Sequence, residues 1–576
     1  MKAFKNLKVI KLKASVFFTG LFAIIFSRIK IPVSSSDFDF SFKLYQEQMG
    51  RGAKSLLLVL FILASFLSSY AQSNIKNKKA KIEILGANTF EMDNNIGGGA
   101  KRLIGNVRLK HGEALMFCDS AYVYSKTNTM DAYGHVRITQ GDSLQLFGDS
   151  LKYDGNTKLA ILRGNIRLIN NDVTLTTDFL DYDRATNVGY YYNGGKMVSN
   201  SDNNTLTSKQ GYYYADSQAF YFKDSVLLVN PDYTIVADTL SYSSGAEMVR
   251  FLGPTTITSA DNLIYTEDGW YNTISNKSKF YKNAYIYANN TIIEGDTLYY
   301  ERDNGFGEIL CNGTITDTVS NLILQGDLIH VYELQDSVMI TDEAMMIQFN
   351  EEDSLYMHAD TFMVSTQYVF HTDSLTNVID SNLTDTLRSM LAYNHVKFFK
   401  NDMQGKADSV VYDFSDSTIN FYNDPIIWSD DNQLTADFIY IQIANGNPKS
   451  IFMEKHAFVV SKADSLNNNF NQIKGKNMVA HIKNDELYQI DVKENSQTIT
   501  YAIDDEGRYI GVNKLEGEDM LIRFIDGEIS TVTFIKDPKG EINPLQDLSP
   551  KDVVLKGFSW RVAERPTNMF DIFIWE

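Results

Sequence analysis

Residues 144–168 read LQLFGDSLKYDGNTKLAILRGNIRL and contain the pattern that decides the fold. Before Asp149, apolar residues lie an odd number of positions from the aspartate, and after it they lie an even number of positions away. Alternate residues of a β-strand point to opposite faces, so the apolar face of this strand switches at Asp149. Such a switch beside a small residue is typical of a β-bulge or corner. We therefore predict a strand that bends from one sheet into a second.

The second strand of the same stretch keeps one apolar face. Around Gly164, apolar residues lie at even offsets on both sides, as at Leu162 and Ile166. Both strands recur along the chain at a spacing of about 30 residues, which is typical of a repeat protein. The glycine phrase recurs at Gly105 and Gly134 and, more weakly, at Gly194, Asp224, Gly253, Asn283, Gly313 and Glu343. The aspartate phrase recurs at Asp178, Asp238, Asp296, Asp327, Asp360, Asp408 and Asp437.

The composition agrees with a fold made of strands. The chain has 576 residues with 9 Pro, 33 Tyr and 35 Phe, a mixture that favours strands and polar turns over helices. We predict an all-β fold, an elongated repeat β-jellyroll or solenoid of two facing antiparallel sheets with about 30 residues per repeat.

The charge excludes one class of partner. The net charge is −19, and the first 71 residues carry 10 Lys or Arg and only 3 Asp or Glu, so the remainder is more acidic still. Release of counterions from phosphate requires a basic surface. We therefore expect no nucleic-acid partner.

Residue types that carry chemistry are few or scattered. Cys118 and Cys311 are too few for a disulfide framework, and we expect both to be buried. The 8 His residues lie singly, without the close pair of a zinc site. The recurring Asp lies at the same corner of every repeat, which predicts a structural role because catalysis requires one site. We predict no enzyme, no catalytic residue, no cofactor and no metal.

The amino terminus has the pattern of an export signal. Arg51 and Lys54 precede an apolar run from Leu56 to Leu67, and small residues follow up to Ala71. The run is shorter than the roughly 20 residues that span a bilayer. We expect cleavage after Ala71, and we interpret residues 1–48 as an extension upstream of a translation start at Met49.

These patterns predict the domain organisation. We expect an N-terminal extension at 1–48, a signal peptide at 49–71, regular repeats at 72–350, an irregular insertion at 351–392, further repeats at 393–499, and a cap or tail at 500–576.

The repeat resembles a known family. Its Gly-Asn-Val/Ile strand, its Ala/Gly-Asp-Ser/Thr-Leu-x-Tyr strand and the segment from Asn423 to Asp437 resemble the OstA-like or LptA-like periplasmic proteins of lipopolysaccharide transport, which are related to the N-terminal domain of the LptD translocon. The resemblance covers roughly residues 80–495. This chain differs in having more repeats than a minimal bridge protein and no long C-terminal barrel.

The resemblance implies an open β-jellyroll whose apolar groove holds lipid A acyl chains. It also implies a periplasmic location, in association with inner or outer membrane complexes. The expected partners are lipopolysaccharide, other β-jellyroll components and the outer-membrane translocon, docked through edge strands. The residues expected to line the groove are Leu144, Leu146, Leu151, Tyr153, Leu162, Ile166, Leu168, Val173, Leu175, Leu180, Tyr182, Ile235 and Leu240.

Two alternatives stay open from the sequence. The first is a structural or adhesive envelope solenoid with a packed core, in which runs such as Tyr190–Tyr192 and Tyr212–Tyr214 stack on sugars. The second is a polysaccharide lyase or hydrolase whose acidic residues lie in the irregular segment, namely Glu351, Glu352, Asp353 and Asp360.

Overall fold

The structure is a computed structural model that describes most of the chain after residue 79. The described residues are 80–92, 99–140, 144–170, 173–199, 204–243, 246–260, 262–288, 290–349, 353–372, 379–444, 447–463, 469–483, 486–504, 508–525 and 528–575. They form two compact units, the N-terminal unit up to Ala246 and the C-terminal unit from Glu247 onward. The extension expected at 1–48 and the signal peptide expected at 49–71 lie outside the described residues.

The N-terminal unit consists of antiparallel strands joined by tight turns. Its strands are β1 (Glu83–Gly86), β2 (Thr89–Met92), β3 (Lys101–His111), β4 (Ala114–Tyr124), β5 (Thr129–Gln140), β6 (Leu144–Asp154), β7 (Leu159–Asn170), β8 (Val173–Asp183), β9 (Val188–Tyr191), β10 (Gly195–Ser199), β11 (Asn204–Ser208), β12 (Gln210–Tyr214), β13 (Ala219–Val229) and β14 (Tyr233–Ser243).

The C-terminal unit continues the same construction. Its strands are β15 (Met248–Ser259), β16 (Asn262–Asn272), β17 (Lys277–Tyr281), β18 (Tyr285–Ala288), β19 (Thr291–Glu294), β20 (Thr297–Glu301), β21 (Phe306–Asp317), β22 (Leu322–Tyr332), β23 (Ser337–Thr341), β24 (Met345–Phe349), β25 (Ser354–His358), β26 (Thr361–Thr372), β27 (Ile379–Phe399), β28 (Met403–Asp413), β29 (Thr418–Tyr422), β30 (Ile426–Ser429), β31 (Asn432–Thr435), β32 (Phe438–Ala444), β33 (Asn447–Glu454), β34 (Phe458–Lys462), β35 (Phe470–Lys474), β36 (Asn477–Lys483), β37 (Glu486–Lys493), β38 (Ser496–Ile503), β39 (Tyr509–Gly517), β40 (Asp519–Ile525), β41 (Glu528–Ile535) and β42 (Lys539–Asn543).

Short 3₁₀ turns complete the secondary structure of the C-terminal unit. They span Arg302–Asn304, Glu333–Gln335, Leu545–Asp547, Val562–Glu564 and Asp571–Phe573. Within the described part of the chain, no helix is long and apolar enough to cross a membrane. The predicted all-β fold is confirmed.

Each long strand of the N-terminal unit bends at a corner and contributes to two sheets. The register between β6 and β7 shifts between Phe147 and Ser150, where the pairing passes from one sheet to the other. We call the sheet with Ser150–Asp154 of β6 sheet A and the sheet with Leu144–Phe147 sheet B. In β6 the buried residues run from Leu146 through Gly148 to Leu151, so the apolar face switches at Asp149 as predicted. Both sheets therefore keep their apolar sides inward.

The corners are built from consecutive left-handed residues. Gly164 and Asn165 have φ angles of 78° and 45°, in the region that favours glycine and tolerates asparagine. Similar pairs occur at 105–106, 134–135, 193–194, 224–225, 282–283, 311–312, 342–343, 394–395, 423–424, 455–456, 494–495 and 536–537. One corner lies at a different position from the one that the sequence pattern predicts. The pattern places it at Gly313, but the left-handed residues are Cys311 and Asn312.

Hydrogen bonds from neighbouring strands hold the corner at Gly164 and Asn165. The side-chain amide of Asn165 donates to Oδ2 of Asp149 at 2.7 Å, and its backbone N–H donates to Oδ1 of Asp178 at 3.3 Å. A Cβ at Gly164 would lie 2.6 Å from Oδ2 of Asp149, so a glycine is required for space as well as for φ. His135 replaces the asparagine at another corner and contacts Asp119 at 2.7 Å. The recurring Asp is therefore a corner residue.

Within residues 351–392, where the repeat is irregular, the described chain forms a hairpin. Strand β26 pairs with β27 from Thr361 to Thr372, whereas β23 pairs with β26 only over Thr361–Ser365. Strand β28 pairs with β27 only from Ser389 onward. Beyond these pairings, the described ends of β26 and β27 extend as a two-stranded ribbon.

The chain beyond residue 500 contains strands and then a tail. Strand β39 pairs with β38 and β42, and β40 pairs with β37 and β41, so hairpins continue up to Asn543. Residues 544–575 contain no strand, only three short 3₁₀ turns. This tail contacts the strands of its own unit and is described further below.

The two cysteines lie in different environments. Cys118 is buried in β4 as expected, but Cys311 is exposed, so the expectation for Cys311 was wrong. Cys311 has a φ of 59° because it occupies the first position of a corner pair. The sequence pattern places that corner at Gly313, and therefore does not indicate that Cys311 lies in an exposed turn.

Replacing Gly164 by Ala should lower the free energy of unfolding by about 1–2 kcal/mol or more, because Ala is disfavoured at positive φ and its Cβ meets Asp149. Gly148→Ala is the matched control, since its Cβ would make only ordinary contacts, the nearest at 3.5 Å. Urea unfolding of residues 72–576 measures both. Equal losses for the two variants would contradict the corner argument.

The thiols should differ in their reaction with iodoacetamide near pH 8. Burial, with a smaller contribution from Asp119, raises the pKa of Cys118 to about 11. We expect Cys311 to be alkylated in the native protein and Cys118 to react only after unfolding in urea. Peptide mass spectrometry distinguishes the two sites, and rapid native modification of Cys118 would show that β4 is not packed as described.

Candidate functional site

The apolar sides of sheets A and B enclose a common interior in the N-terminal unit. Most residues predicted to line a groove are buried there, namely Leu146, Leu151, Tyr153, Leu162, Ile166, Leu168, Leu175, Leu180, Tyr182, Ile235 and Leu240. Val173 is half-buried. The side chain of Leu144 lies outside the described residues.

Cross-strand pairs arrange these residues in two apolar ladders. The sheet A ladder runs through Leu103, Ala121, Ala132, Leu151, Leu162 and Leu180. The sheet B ladder runs through Met116, Ile138, Leu146, Leu168 and Leu175. Sequence reasoning missed Leu103, Met116 and Ile138, although the same alternation around Gly134 would have found Ile138.

The interior is closed to solvent in this structure. Among the buried predicted residues, exposure ranges from 0% at Leu162 to 6% at Leu175. Side chains with so little exposure pack against one another as in a protein core. An acyl chain would reach the ladders only if sheets A and B moved apart.

A polar latch joins the two sheets on the side opposite the corners. We define it as His111 at the end of β3 in sheet B, Tyr153 and Arg184 in or beside sheet A, and the carbonyl of Ala80. The hydroxyl of Tyr153 lies 2.7 Å from Nδ1 of His111, and Arg184 donates to the same hydroxyl at 2.9 Å. Nε2 of His111 lies 3.1 Å from the oxygen of Ala80.

A histidine that is protonated on Nε2 alone satisfies the contacts of the latch. Because Arg184 donates to the Tyr153 hydroxyl, that hydroxyl is free to donate its own proton to Nδ1 of His111. Nε2 then carries the hydrogen and donates to Ala80.

Tyrosines at or near the end of the aspartate phrase are buried in several repeats of both units. In the N-terminal unit, Tyr153 and Tyr182 are buried, and burial raises the pKa of each. In the C-terminal unit, Tyr300 is buried and donates to Oε2 of Glu333 at 2.7 Å. Burial also raises the pKa of Tyr271 to about 12. These rings extend the apolar interior toward its margin, where the hydroxyls of Tyr153, Tyr271 and Tyr300 meet polar groups.

The interior of the C-terminal unit contains a small apolar cavity. Its volume is about 30 Å³, and Phe280, Ile286, Ile293, Leu298, Ile309 and Val331 contribute most of its apolar wall. A cavity of this size holds about one water molecule, but an apolar wall offers that water few partners. The packing is therefore imperfect at this point.

Tyrosines on the outer side of the N-terminal unit stack on one another. The ring of Tyr190 lies 4.5 Å from that of Tyr212 and 5.5 Å from that of Tyr192, with the rings nearly parallel. Sugar stacking requires a free aromatic face, whereas these rings turn faces toward each other. The tyrosine cluster is better suited to holding β9 and β12 together.

The acidic residues considered for a hydrolase have structural partners. Asp353 accepts a hydrogen bond from the side chain of Asn401 at 2.9 Å, and Asp360 contacts the corner residue His395 at 3.0 Å. Glu351 and Glu352 lie outside the described residues. The described part of the chain contains no group of three or more His, Cys, Asp or Glu side chains placed to hold a metal.

Comparison with known families bears on the N-terminal unit. Residues 79–238 match the family described as OstA-like protein. This segment is OstA-like. The match covers the corners and both ladders of the N-terminal unit, and over this segment it confirms the resemblance found in the repeat. No curated protein sequence matches the chain.

Among solved structures, the chain is similar to LptH from Pseudomonas aeruginosa. LptH is described as the LptA homologous periplasmic component of a conserved lipopolysaccharide transport device. The identity is 14%, and the match covers 25% of this chain and 95% of LptH with a TM-score of 0.20.

Replacing Tyr153 by Phe should lower the free energy of unfolding by about 1–3 kcal/mol, because Nδ1 of buried His111 would lose its donor. Tyr182→Phe is the control, since the hydroxyl of Tyr182 has no hydrogen-bond partner among the described residues and its removal should change stability little. Urea unfolding compares the variants. A loss for Tyr182→Phe as large as that for Tyr153→Phe would argue against the latch.

Proposed function

We propose that this chain is a non-enzymatic lipid-binding bridge of the periplasm that serves lipopolysaccharide transport to the outer membrane. Acyl chains would lie between sheets A and B along the two ladders. The single observation that carries the proposal is the pair of facing apolar ladders, which run through strand after strand of an OstA-like segment.

The energetics allow such a chain to be bound. Moving sheets A and B apart would break contacts between the side chains of the two ladders and replace them by contacts with the acyl chain. Each buried CH₂ contributes about 0.8 kcal/mol, and a chain of about ten methylenes would therefore gain about 8 kcal/mol. Breaking one latch hydrogen bond costs about 1–3 kcal/mol. Removal of the acyl chain from water therefore contributes more than one latch hydrogen bond costs.

Edge strands support docking of further β-jellyrolls. In the described residues, β2 pairs with β3 alone, and its Phe90 and Met92 are exposed. At the other end of the sequence, β41 pairs with β40 alone among the described residues, and Ile535 is exposed. Unpaired strand edges with apolar side chains are templates for strand addition. We propose that such edges bind other transport components or the outer-membrane translocon.

A specific observation favours a second candidate. The closed, filled interior is also what a structural envelope solenoid with a packed core would have. The stacked tyrosines offer little support for its proposed adhesion to sugars, so this candidate rests on the core alone.

A photo-crosslinking amino acid at Leu175 tests the lipid proposal in a Gram-negative host. Leu175 lies on the sheet B ladder, so we expect irradiation to attach a lipid A species that mass spectrometry identifies. The adjacent Thr176 is exposed on the opposite face and is the matched control.

The same experiment separates the two candidates. Attachment at Leu175 but not at Thr176 supports the bridge. An interior that yields no lipid adduct, in protein whose folding is unchanged and with a crosslinker shown to be active, supports the packed solenoid.

A further inference from the structure

The C-terminal tail crosses the outside of one sheet of its unit. Strand β28 contributes to two sheets of the C-terminal unit. We call the sheet with Ser409–Asp413 of β28 sheet C. We call the other sheet D, and it contains Met403–Ala407 of β28 together with β30, β31, β34 and β35. The tail leaves β42 at Asn543 and runs across sheet D toward β25, where the ring of Phe573 lies 4.4 Å from that of His358. It therefore lies across the strands and does not extend the sheet as another strand.

Two glutamines hold the tail by its backbone. The side-chain amide of Gln472 donates to the carbonyl of Val553 at 2.8 Å and accepts from the N–H of Leu555 at 2.8 Å. Gln433 repeats the arrangement with the carbonyl of Ser559 and the N–H of Arg561, both at 2.7 Å. Each amide thus pairs with the tail backbone as a neighbouring strand would.

These glutamines belong to one row of side chains on the outer face of sheet D. Gln404 pairs with Trp428, Trp428 with Gln433, Gln433 with Val460, and Val460 with Gln472. Paired residues of antiparallel strands point to the same side. All members of the row are buried, and the exposed fraction of Trp428 and of Gln433 is at most 1%. We call this row, with the neighbouring Lys397 and Lys406, the tail-binding face.

Charges and rings fix the second half of the tail. Lys406 donates to Oε2 of Glu564 at 2.6 Å, and Arg561 binds both Glu564 and Asp424. The side chain of Lys406 also lies over the ring of Trp575, 4.2 Å from its centroid. The face therefore recognises an acidic residue and an aromatic residue in addition to backbone.

The tail is attached as a bound peptide would be, not as part of a core. Its only buried residues are Pro566 and Ile572 among those described. Residues 544–552, which connect it to β42, are almost entirely exposed and form no strand. The indole N–H of Trp428 is buried under the tail and has no hydrogen-bond partner among the described residues. An unpaired buried donor is costly, so the fit of the tail is incomplete.

We propose that the tail-binding face is a peptide-recognition site whose ligand is the segment 553–575, bound in cis by one chain and exchangeable for the same segment of a second copy. The backbone pairing at Gln472 and Gln433 sets the register, and the acidic and aromatic residues that follow give specificity. The exposed connection at 544–552 permits the exchange. The proposal does not depend on whether lipid enters the interior.

A labelled synthetic peptide of residues 548–575 tests the proposal with the full mature chain. Arg561→Ala combined with Glu564→Ala weakens the tail in cis and leaves the tail-binding face intact. Fluorescence anisotropy should show at least tenfold tighter peptide binding by this tail variant than by the unmodified chain, because the competitor in cis is weakened.

The control variant adds Gln433→Leu and Gln472→Leu to the tail variant. It removes both backbone pairs at similar side-chain volume, so we expect peptide binding to fall at least tenfold. Urea unfolding shows whether the variants remain folded, and a scrambled peptide tests specificity. The proposal is overturned if the folded tail variant does not bind the peptide, or binds it equally well without the two glutamines.

Discussion

The fold depends on the corner at which a left-handed glycine and asparagine meet the aspartate of the preceding strand. At Gly164 the turn requires a positive φ, and the carboxylate of Asp149 occupies the space that a Cβ would need. Asn165 then binds that carboxylate and, through its backbone, the next aspartate, Asp178. The corner at Gly164 is thus fixed by its neighbours on both sides, and Asn312 repeats the arrangement with Asp296 and Asp327. Since each long strand passes through a corner into two sheets, the alignment of these corners also aligns the sheets.

The interior follows from this arrangement. When the apolar face switches at Asp149 but not at Gly164, both strands keep their apolar residues between the same two sheets. The two apolar ladders are therefore a consequence of the geometry of the corners. The latch at His111 and Tyr153 joins sheets A and B where no corner does, so under the proposed function it would have to open for lipid to enter. The lipid-binding bridge and the solenoid with a packed core would share this interior. They differ in whether sheets A and B move apart.

The C-terminal unit adds a feature that the repeat does not contain. Its sheet D carries buried glutamines, a tryptophan and lysines on the face where a repeat protein usually presents solvated side chains. The tail covers this face, and its backbone supplies hydrogen-bond partners for Gln433 and Gln472. Without the tail these amides would face solvent and Trp428 would be uncovered, so the face is adapted to a peptide.

The amino-acid sequence by itself determined the strands, the corners and the inward residues. These features are local, because the alternation of side chains along a strand and the φ preference of Gly and Asn are properties of a few neighbouring residues. The tertiary structure decided the rest. The latch joins His111 to Tyr153 across two sheets, the tail meets Gln433 from far along the chain, and Cys311 became exposed because its strand turned earlier than Gly313 indicated. Such contacts join residues that are distant in sequence, and no periodicity along the chain records which of them meet.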